Sequence, residues 1–495
     1  MILLLVLSSS LLPGVLIFGL REDQQTLRTT LNLAGALGKL LLVAAMLWGV
    51  SHGASYRFAM PVAPGLDLVL HADPLSMLFI VLSSLLWLLT TIYAIGYLEG
   101  SPNRSRFFGY FSLCVTSTVG VALAANLFTF IVFYELLTLS TYPLVVHRGT
   151  AAARSAGRAY LAYTLAGGAL LLLGAVWLHA LAGAADFQAR GSLGDLPQTQ
   201  GPALVLIFAL LIAGVGVKAA LVPLHGWLPR AMIAPAPVSA LLHAVAVVKA
   251  GAFGIVRVVY DLYGIEDAAR LGVTTPLALV VATTILYGST RALWQDDIKR
   301  RLAFSTVSQV SYIALGVAIV GPLATVGGLV HLVHQGLMKI TLFFCAGNLA
   351  ETLGIHKVSE MDGVGRRMPW TMAAFTVGAL GMIGLPPLAG FVSKWFLGLG
   401  ALERGQDWVL LVLAGSSLLN AMYFLPPLHR AWFRAPPAAG WAAERPRQRW
   451  EAPPTLLLPA LTTALLVILT GLFAAMPFSP QTWAQLIARQ EFYGP

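Results

Sequence analysis

The chain has 495 residues, of which 58% are hydrophobic and 11% charged, and its mean hydropathy is +0.79. Soluble domains carry about a quarter charged residues, so a water-soluble fold is excluded. The net charge of +10 is scattered over short loops between apolar runs, without a basic domain or stripe, which excludes a nucleic-acid-binding protein.

Taken in chain order, the apolar runs predict an all-α integral membrane protein of about fourteen transmembrane helices. They lie near 2–20, 31–50, 73–97, 107–124, 126–146, 157–182, 202–228 (broken), 236–260, 272–293, 302–320, 323–350, 370–399 (broken), 408–429 and 456–476. Runs such as 73–97 and 202–222 reach the roughly 20 residues needed to span hydrocarbon. Residues 1–20 lack a basic leader and a small-x-small cleavage signal, so they read as a retained first span. Cys114 and Cys345 fall inside apolar runs with no CxxC and no Cys/His cluster, so no metal, haem, iron–sulfur or other cofactor is expected.

Charge fixes an orientation. With the N-terminus outside, the cytoplasmic loops hold Arg21, Arg28, Arg104, Arg106, Arg148, Arg154, Arg158, Arg230, Lys299, Arg300, Arg301, Lys357, Arg366, Arg367, Arg430, Arg434, Arg445, Arg447 and Arg449. The opposite face holds only Arg57, Arg190, Arg270, Arg404 and Arg489. This asymmetry is the positive-inside pattern of a cell-membrane protein with both termini on the periplasmic or exterior side.

Seven basic residues remain in or beside spans. Lys39, Arg257 and Arg291 are near enough to span ends to snorkel. Lys218, Lys249, Lys339 and Lys394 are deep, and Glu135 is the one carboxylate at mid-span. A charge at the bilayer centre costs at least about 2.5–3.5 kcal/mol and marks ion or proton paths. A buried lysine loses its proton more readily than one in water, and a nearby carboxylate reverses the effect. Glu135 and Lys218 are therefore expected to form a switchable pair, the alternative being a static ion pair that joins two helices.

Proline and glycine break two spans beside their lysines, at Pro223–Pro229 after Lys218 and at Gly384–Gly390 before Lys394. Such breaks at membrane depth are tolerated where they line a protein-buried or hydrated cavity. Each falls in the fourth span of a five-span block, 107–260 and 272–429, and odd-numbered blocks in succession must insert with opposite topology. The expected organisation is thus N-terminal helices 1–3 (1–106), two inverted five-helix repeats, and a loop, last helix and short tail (430–495). His331 and His334 precede Lys339 on one span and His243 precedes Lys249 on another, as relay members that titrate near neutrality. His225, at the first break, is placed to gate an entrance. Ser239, Thr306, Ser308 and Ser311 would order water or simply pack.

The segments Phe133–Ser140, Lys218–Pro229, Ala234–His243 and Asp297–Thr306 resemble the antiporter-like subunits of respiratory complex I and of Mrp-type cation/proton antiporters. The resemblance implies two offset half-channels joined by a hydrated polar axis. It implies a proton relay through Glu135, Lys218, Lys249, His331, His334, Lys339 and Lys394. Length, and lysine rather than glutamate at 394, are most similar to the Mrp D-type subunit. The resemblance therefore implies an ion translocator without a redox site of its own, exchanging protons and sodium within a hetero-oligomer of membrane subunits. Complex I (where the chain would count as part of a translocase), a membrane-bound hydrogenase and an inorganic-carbon uptake complex are the alternative hosts.

Overall fold

Long helices form wherever apolar residues run unbroken, because only a helix satisfies every backbone donor and acceptor in hydrocarbon. The computed structural model describes residues 1–183, 186–193, 200–446 and 450–494, so Arg447 and Arg449 lie outside the described residues. The first half comprises α1 (Ile2–Phe18), α2 (Gln25–Ser51), strands β1 (Tyr56–Ala63) and β2 (Leu66–Ala72), α3 (Pro74–Tyr97), α4 (Arg104–Leu123), α5 (Leu127–Val145), α6 (Ala151–Ala182), α7 (Gly201–Lys218), α8 (Trp227–Arg230), α9 (Ala236–Ala240) and α10 (Val247–Val256). The second comprises α11 (Ile265–Arg270), α12 (Thr274–Leu293), α13 (Ile298–Ile319), α14 (Pro322–Leu353), α15 (Val364–Arg367), α16 (Pro369–Ile383), α17 (Ala389–Glu403), α18 (Trp408–Phe433), α19 (Pro454–Leu472) and α20 (Pro480–Ile487).

Among the described residues, twelve helices are long and apolar enough to cross a membrane, counting Ala236–Tyr263 as one. The expected fourteen would add two shorter elements: α1, and the α16–α17 pair. Lipid-facing side chains such as Leu41, Leu411 and Leu418 are exposed. The most apolar stretches of Ala236–Tyr263, α13 and α14 are wholly enclosed by the other helices. Burial on all sides makes these three the natural seat of polar chemistry.

Contacts between connections sort into two sets, which define two faces. On one, Asp297 bridges Lys357, Arg430 pairs with Asp362, Arg367 with Glu444, and Arg104 with Glu22. On the other, β2 touches Ala124, Asn126 bridges Asp186, and Gln188 N donates to the Asp261 carbonyl. The first face carries most of the loop arginines and is called the basic face. The second carries both termini and is called the terminal face.

Several features depart from expectation. Residues 56–72 form an antiparallel hairpin, β1 with β2, where a loop was expected. The tail after α19 turns back as α20 and a π-helical stretch, Ala488–Tyr493, packed against α3 and α14. Lys39 and Arg257 do not snorkel. Lys39 is 0% exposed and donates to Ser10 Oγ at 2.7 Å, and Ser10 in turn bonds Thr116. Arg257 is 2% exposed and held by two aspartates. Arg291 is exposed, as expected.

Candidate functional site: a file of buried amines and imidazoles

Both expected helix breaks exist. α7 ends at Lys218, and the chain passes through Ala220, at φ +59°, before helix resumes at Trp227. α16 ends at Ile383, and α17 begins at Ala389 after Gly384–Leu388. Each break contains a cis prolyl bond, Val222–Pro223 and Pro386–Pro387. A third irregularity escaped the sequence. The eighth span is not one α-helix: Leu241–Val245 is π-helical, and Ala246 at φ −120°, ψ −85° precedes α10. Such π-segments recur at functional sites, and this one carries His243.

The first lysine is fully buried. Its Nζ donates to the Tyr134 carbonyl and lies 3.3 Å from the Tyr134 ring centroid. Tyr134 is anchored in turn, its hydroxyl donating to the Gly214 carbonyl at 3.2 Å. The expected contact pair with Glu135 is absent from the ion pairs of the described residues. Glu135 packs instead against Gly168 of α6, with a buried Oε1 that has no hydrogen-bond partner among the described residues. The static ion pair is therefore not what the structure holds. Carboxylate and amine flank the same residue without touching.

Lys249, on α10, donates to the Leu332 carbonyl of α14 at 2.6 Å. That places it beside His331, whose Nδ1 shares a 2.8 Å hydrogen bond with Ser393 on α17. Lys394, the next residue, donates to the Ile383 carbonyl at 2.7 Å and to Ser417 at 2.8 Å. Tyr312 lies between, its ring 5.1 Å from that of His331 and 5.5 Å from the Lys394 amine. Lys339 is two turns farther along α14, about 12 Å by helical rise, and donates to Ser305 Oγ at 2.6 Å.

Sequence reasoning thus placed Lys249, His331 and Lys394 on elements that the structure packs together; Lys218 is linked to them through its backbone, which lies against Gly251 of α10, and Lys339 lies farther along α14. His334 is buried with both ring nitrogens unpartnered. His243 is likewise unpartnered and stacks on Phe343 at 4.6 Å. His225 sits in the first break, its ring 5.0 Å from that of Tyr287.

Two residues the sequence reading passed over belong with these. Gln309 and Gln335 are 0% exposed, and among the described residues neither the amide nitrogen nor the oxygen of either has a partner. An uncharged amide in an otherwise apolar span was the available signal. In contrast, Ser239, Thr306 and Ser311 spend their hydroxyls on carbonyls of their own helices, and Ser308 bonds Ser289. Buried polar atoms are satisfied by protein or by water. The orphaned atoms of His243, Gln309, His334 and Gln335, on the eighth span, α13 and α14, are therefore sites that call for water.

The sequence profile described as "NADH:quinone oxidoreductase/Mrp antiporter, TM" matches residues 124–420. The chain belongs to this family. A second profile, described as "NADH-Ubiquinone oxidoreductase (complex I), chain 5 N-terminus", matches residues 63–108. NADH-quinone oxidoreductase subunit N of Desulforudis audaxviator is 38% identical over 84% of each chain. The D-type subunit of a Na(+)/H(+) antiporter from Bacillus subtilis is 29% identical over 82% of this chain and 80% of its own. Among solved structures, a chain of the Mrp complex from Dietzia sp. superposes with a TM-score of 0.85 at 25% identity, covering 99% of this chain and 97% of that one. Other relatives are longer, and the chain spans about half to two thirds of their length. Every residue of the file, from Glu135 to Lys394, lies inside the 124–420 match.

Proposed function

We propose that this chain is the proton-translocating subunit of a multi-subunit cation (sodium)/proton antiporter, with protons handed along Glu135/Lys218, Lys249, His331/His334, Lys339 and Lys394. The observation that carries the reading is the file itself: amines and imidazoles, fully enclosed but for the half-buried Lys394, on four elements that include both broken helices. Among the described residues each holds only neutral partners or none, so each is free to gain or lose a proton without breaking a fixed ion pair. His225 and His243 are auxiliary. The two five-helix blocks, 107–260 and 272–429, each contribute one broken helix, and we read them as inverted repeats.

In this reading the basic face is cytoplasmic and the terminal face exterior, following the arginine asymmetry. Other membrane subunits surround the chain, as the multi-subunit assembly of its structural neighbour supports, and sodium passes through those partners. Translocating one charge across 100 mV is worth about 2.3 kcal/mol. That is matched by a proton-affinity change of less than two units at about 1.4 kcal/mol each, so a modest change in Glu135–Lys218 separation suffices.

One observation favours a second host. The 38% identity to the quinone oxidoreductase relative exceeds that to the Bacillus antiporter relative, and supports proton pumping in a quinone-reducing complex. Purifying the native complex and measuring proton and sodium flux separately decides between them. Lys218→Ala is expected to abolish proton translocation in either host while leaving assembly intact. Normal proton flux in that variant overturns the relay.

A further inference from the structure

Away from the file, at the terminal face, three carboxyl groups from distant parts of the chain gather round one guanidinium. Asp73 caps α3, its Oδ1 accepting from Ser76 N at 2.6 Å. Arg257 reaches it with Nη2 at 2.7 Å and holds Asp261 with Nη1 at 2.7 Å. The third carboxyl, Glu491, comes from the folded-back tail. Both its oxygens are buried, and among the described residues the Leu75 backbone amide approaches them without a well-formed hydrogen bond. Arg257, itself 2% exposed, retains an unpartnered Nε. A cavity of about 330 Å³ is lined by His71, Asp73, Arg257, Asp261, Gln490 and Glu491 among others.

We propose that this cluster is a proton-binding site, the point where protons enter or leave the membrane domain at the terminal face, with Glu491 carrying the exchangeable proton. Both aspartates pair with Arg257, and Glu491 is the one carboxyl of the three with no ion pair among the described residues. The guanidinium occupies the centre of the cluster, so the unpaired carboxyl suits a proton better than a metal cation. Burial, then the charges of Asp73 and Asp261, push the Glu491 carboxyl well above the usual range, and Arg257 offsets only part of this. Burial also raises Asp73, but Arg257 and the Ser76 hydrogen bonds outweigh it and hold that group ionised.

The other charged or titratable neighbours are His71 on β2, acted on by Arg57, and Arg190, whose guanidinium packs against Gly494. Burial is the largest influence on His71 and keeps it neutral more readily than a free imidazole. Tyr493 and Tyr260 complete the set. Together they supply a connection inward. Tyr260 and Tyr493 both bond Thr325 Oγ1, at 2.6 and 2.9 Å. Thr325 precedes His331 on α14 by six residues, about 9 Å of rise. A row of hydroxyls thus leads from beside Glu491 toward the file.

The inference rests on the relay proposed above, and its test separates the two. The intact complex is reconstituted in vesicles, and the infrared band of a protonated carboxyl is titrated from the terminal face alongside proton flux. The wild type is expected to show a carboxyl band persisting at pH values where exposed glutamates are ionised, absent in Glu491→Gln and retained in Lys218→Ala. Glu491→Gln is expected to lower flux at least tenfold and abolish its dependence on terminal-face pH, with Glu491→Asp restoring part of both. If the band survives in Glu491→Gln, or flux keeps its wild-type pH profile in a properly assembled complex, the site is overturned, whatever the outcome for Lys218.

Discussion

The amine of Lys218 rests 3.3 Å from the centroid of the Tyr134 ring, one residue before the carboxylate that charge alone would have chosen as its partner. A cation over an aromatic face in a desolvated site is worth about 2 kcal/mol, enough to hold the lysine when Glu135 is elsewhere. The structure holds the ring-bound arrangement; the proposed relay needs a second one, on the carboxylate.

Glu135→Gln removes the second arrangement only. Proton flux through the assembled complex is expected to fall at least about tenfold, equivalent to about 1.4 kcal/mol in the barrier, with assembly unchanged. Gly168→Ala offers an independent check, since its added Cβ would overlap Glu135 Oε1. The flexible carboxylate must swing away, so flux should change although no titratable group has been altered. Wild-type flux in both variants would remove Glu135 from the path.

Lys39 is as deeply buried as the relay lysines, yet its one hydrogen bond is to Ser10 and its aromatic neighbour is Trp87, 5.3 Å away. It lies on α2, outside the packed file. Lys39→Met should leave proton flux at the wild-type level, and should leave stability unchanged or raise it, because an apolar side chain carries no desolvation cost. Thermal unfolding and flux of the same preparation test this; a tenfold loss of flux would bring the N-terminal helices into the path.

Backbone crowding holds the first break in place. A Cβ at Gly251 would overlap the Ala219 backbone nitrogen, next to Lys218. Gly251→Val is expected to cost about 1–3 kcal/mol or more by overpacking, read as a lower unfolding temperature and poorer flux. Gly38 of α2 has nothing within 4 Å of its added Cβ. Gly38→Ala should be neutral or stabilising by about 1 kcal/mol from helix propensity. Equal responses at the two positions would contradict the packing described.

At the basic face, Glu22 accepts from Arg104 N at 3.0 Å and Ser105 N at 3.1 Å, at the start of α4. Burial pushes its carboxyl up, but those backbone bonds and Arg28 outweigh it and hold it below its ordinary value near 4.5. A lowered carboxyl contributes stability above its unfolded value and loses it as pH falls through the folded one. Proteolysis of the 19–24 loop should therefore increase as pH falls below the ordinary carboxylate value near 4.5, and Glu22→Gln should show the acid-form susceptibility already at about pH 7. A pH-independent cleavage rate in the wild type would remove this role.

Much of this architecture was legible in the sequence because lipid imposes simple rules. Long apolar runs, Pro–Gly breaks beside Lys218 and Lys394, and amines inside hydrocarbon are all local signals. The missing pieces are non-local. Arg257 looks like a snorkelling residue until Asp73, 184 positions earlier, is brought to it. Lys39 shows its burial only once α1 and α3 cover it, and Glu491 reads as part of a polar tail until α20 folds back. The π-turn at His243 has no proline or glycine to announce it. It packs against α14, a contact with residues about a hundred positions away.

The contacts of Lys394 carry a mechanical consequence. Its amine is held by the carbonyls of Met382 and Ile383, at 3.2 and 2.7 Å, which are the dangling acceptors at the end of α16 and the negative pole of that half-helix. No acidic side chain needs to approach or retreat for this lysine to change its preference for a proton. In the proposed relay, straightening or bending the interrupted segment would move these two carbonyls relative to the amine and so alter its hold on a proton.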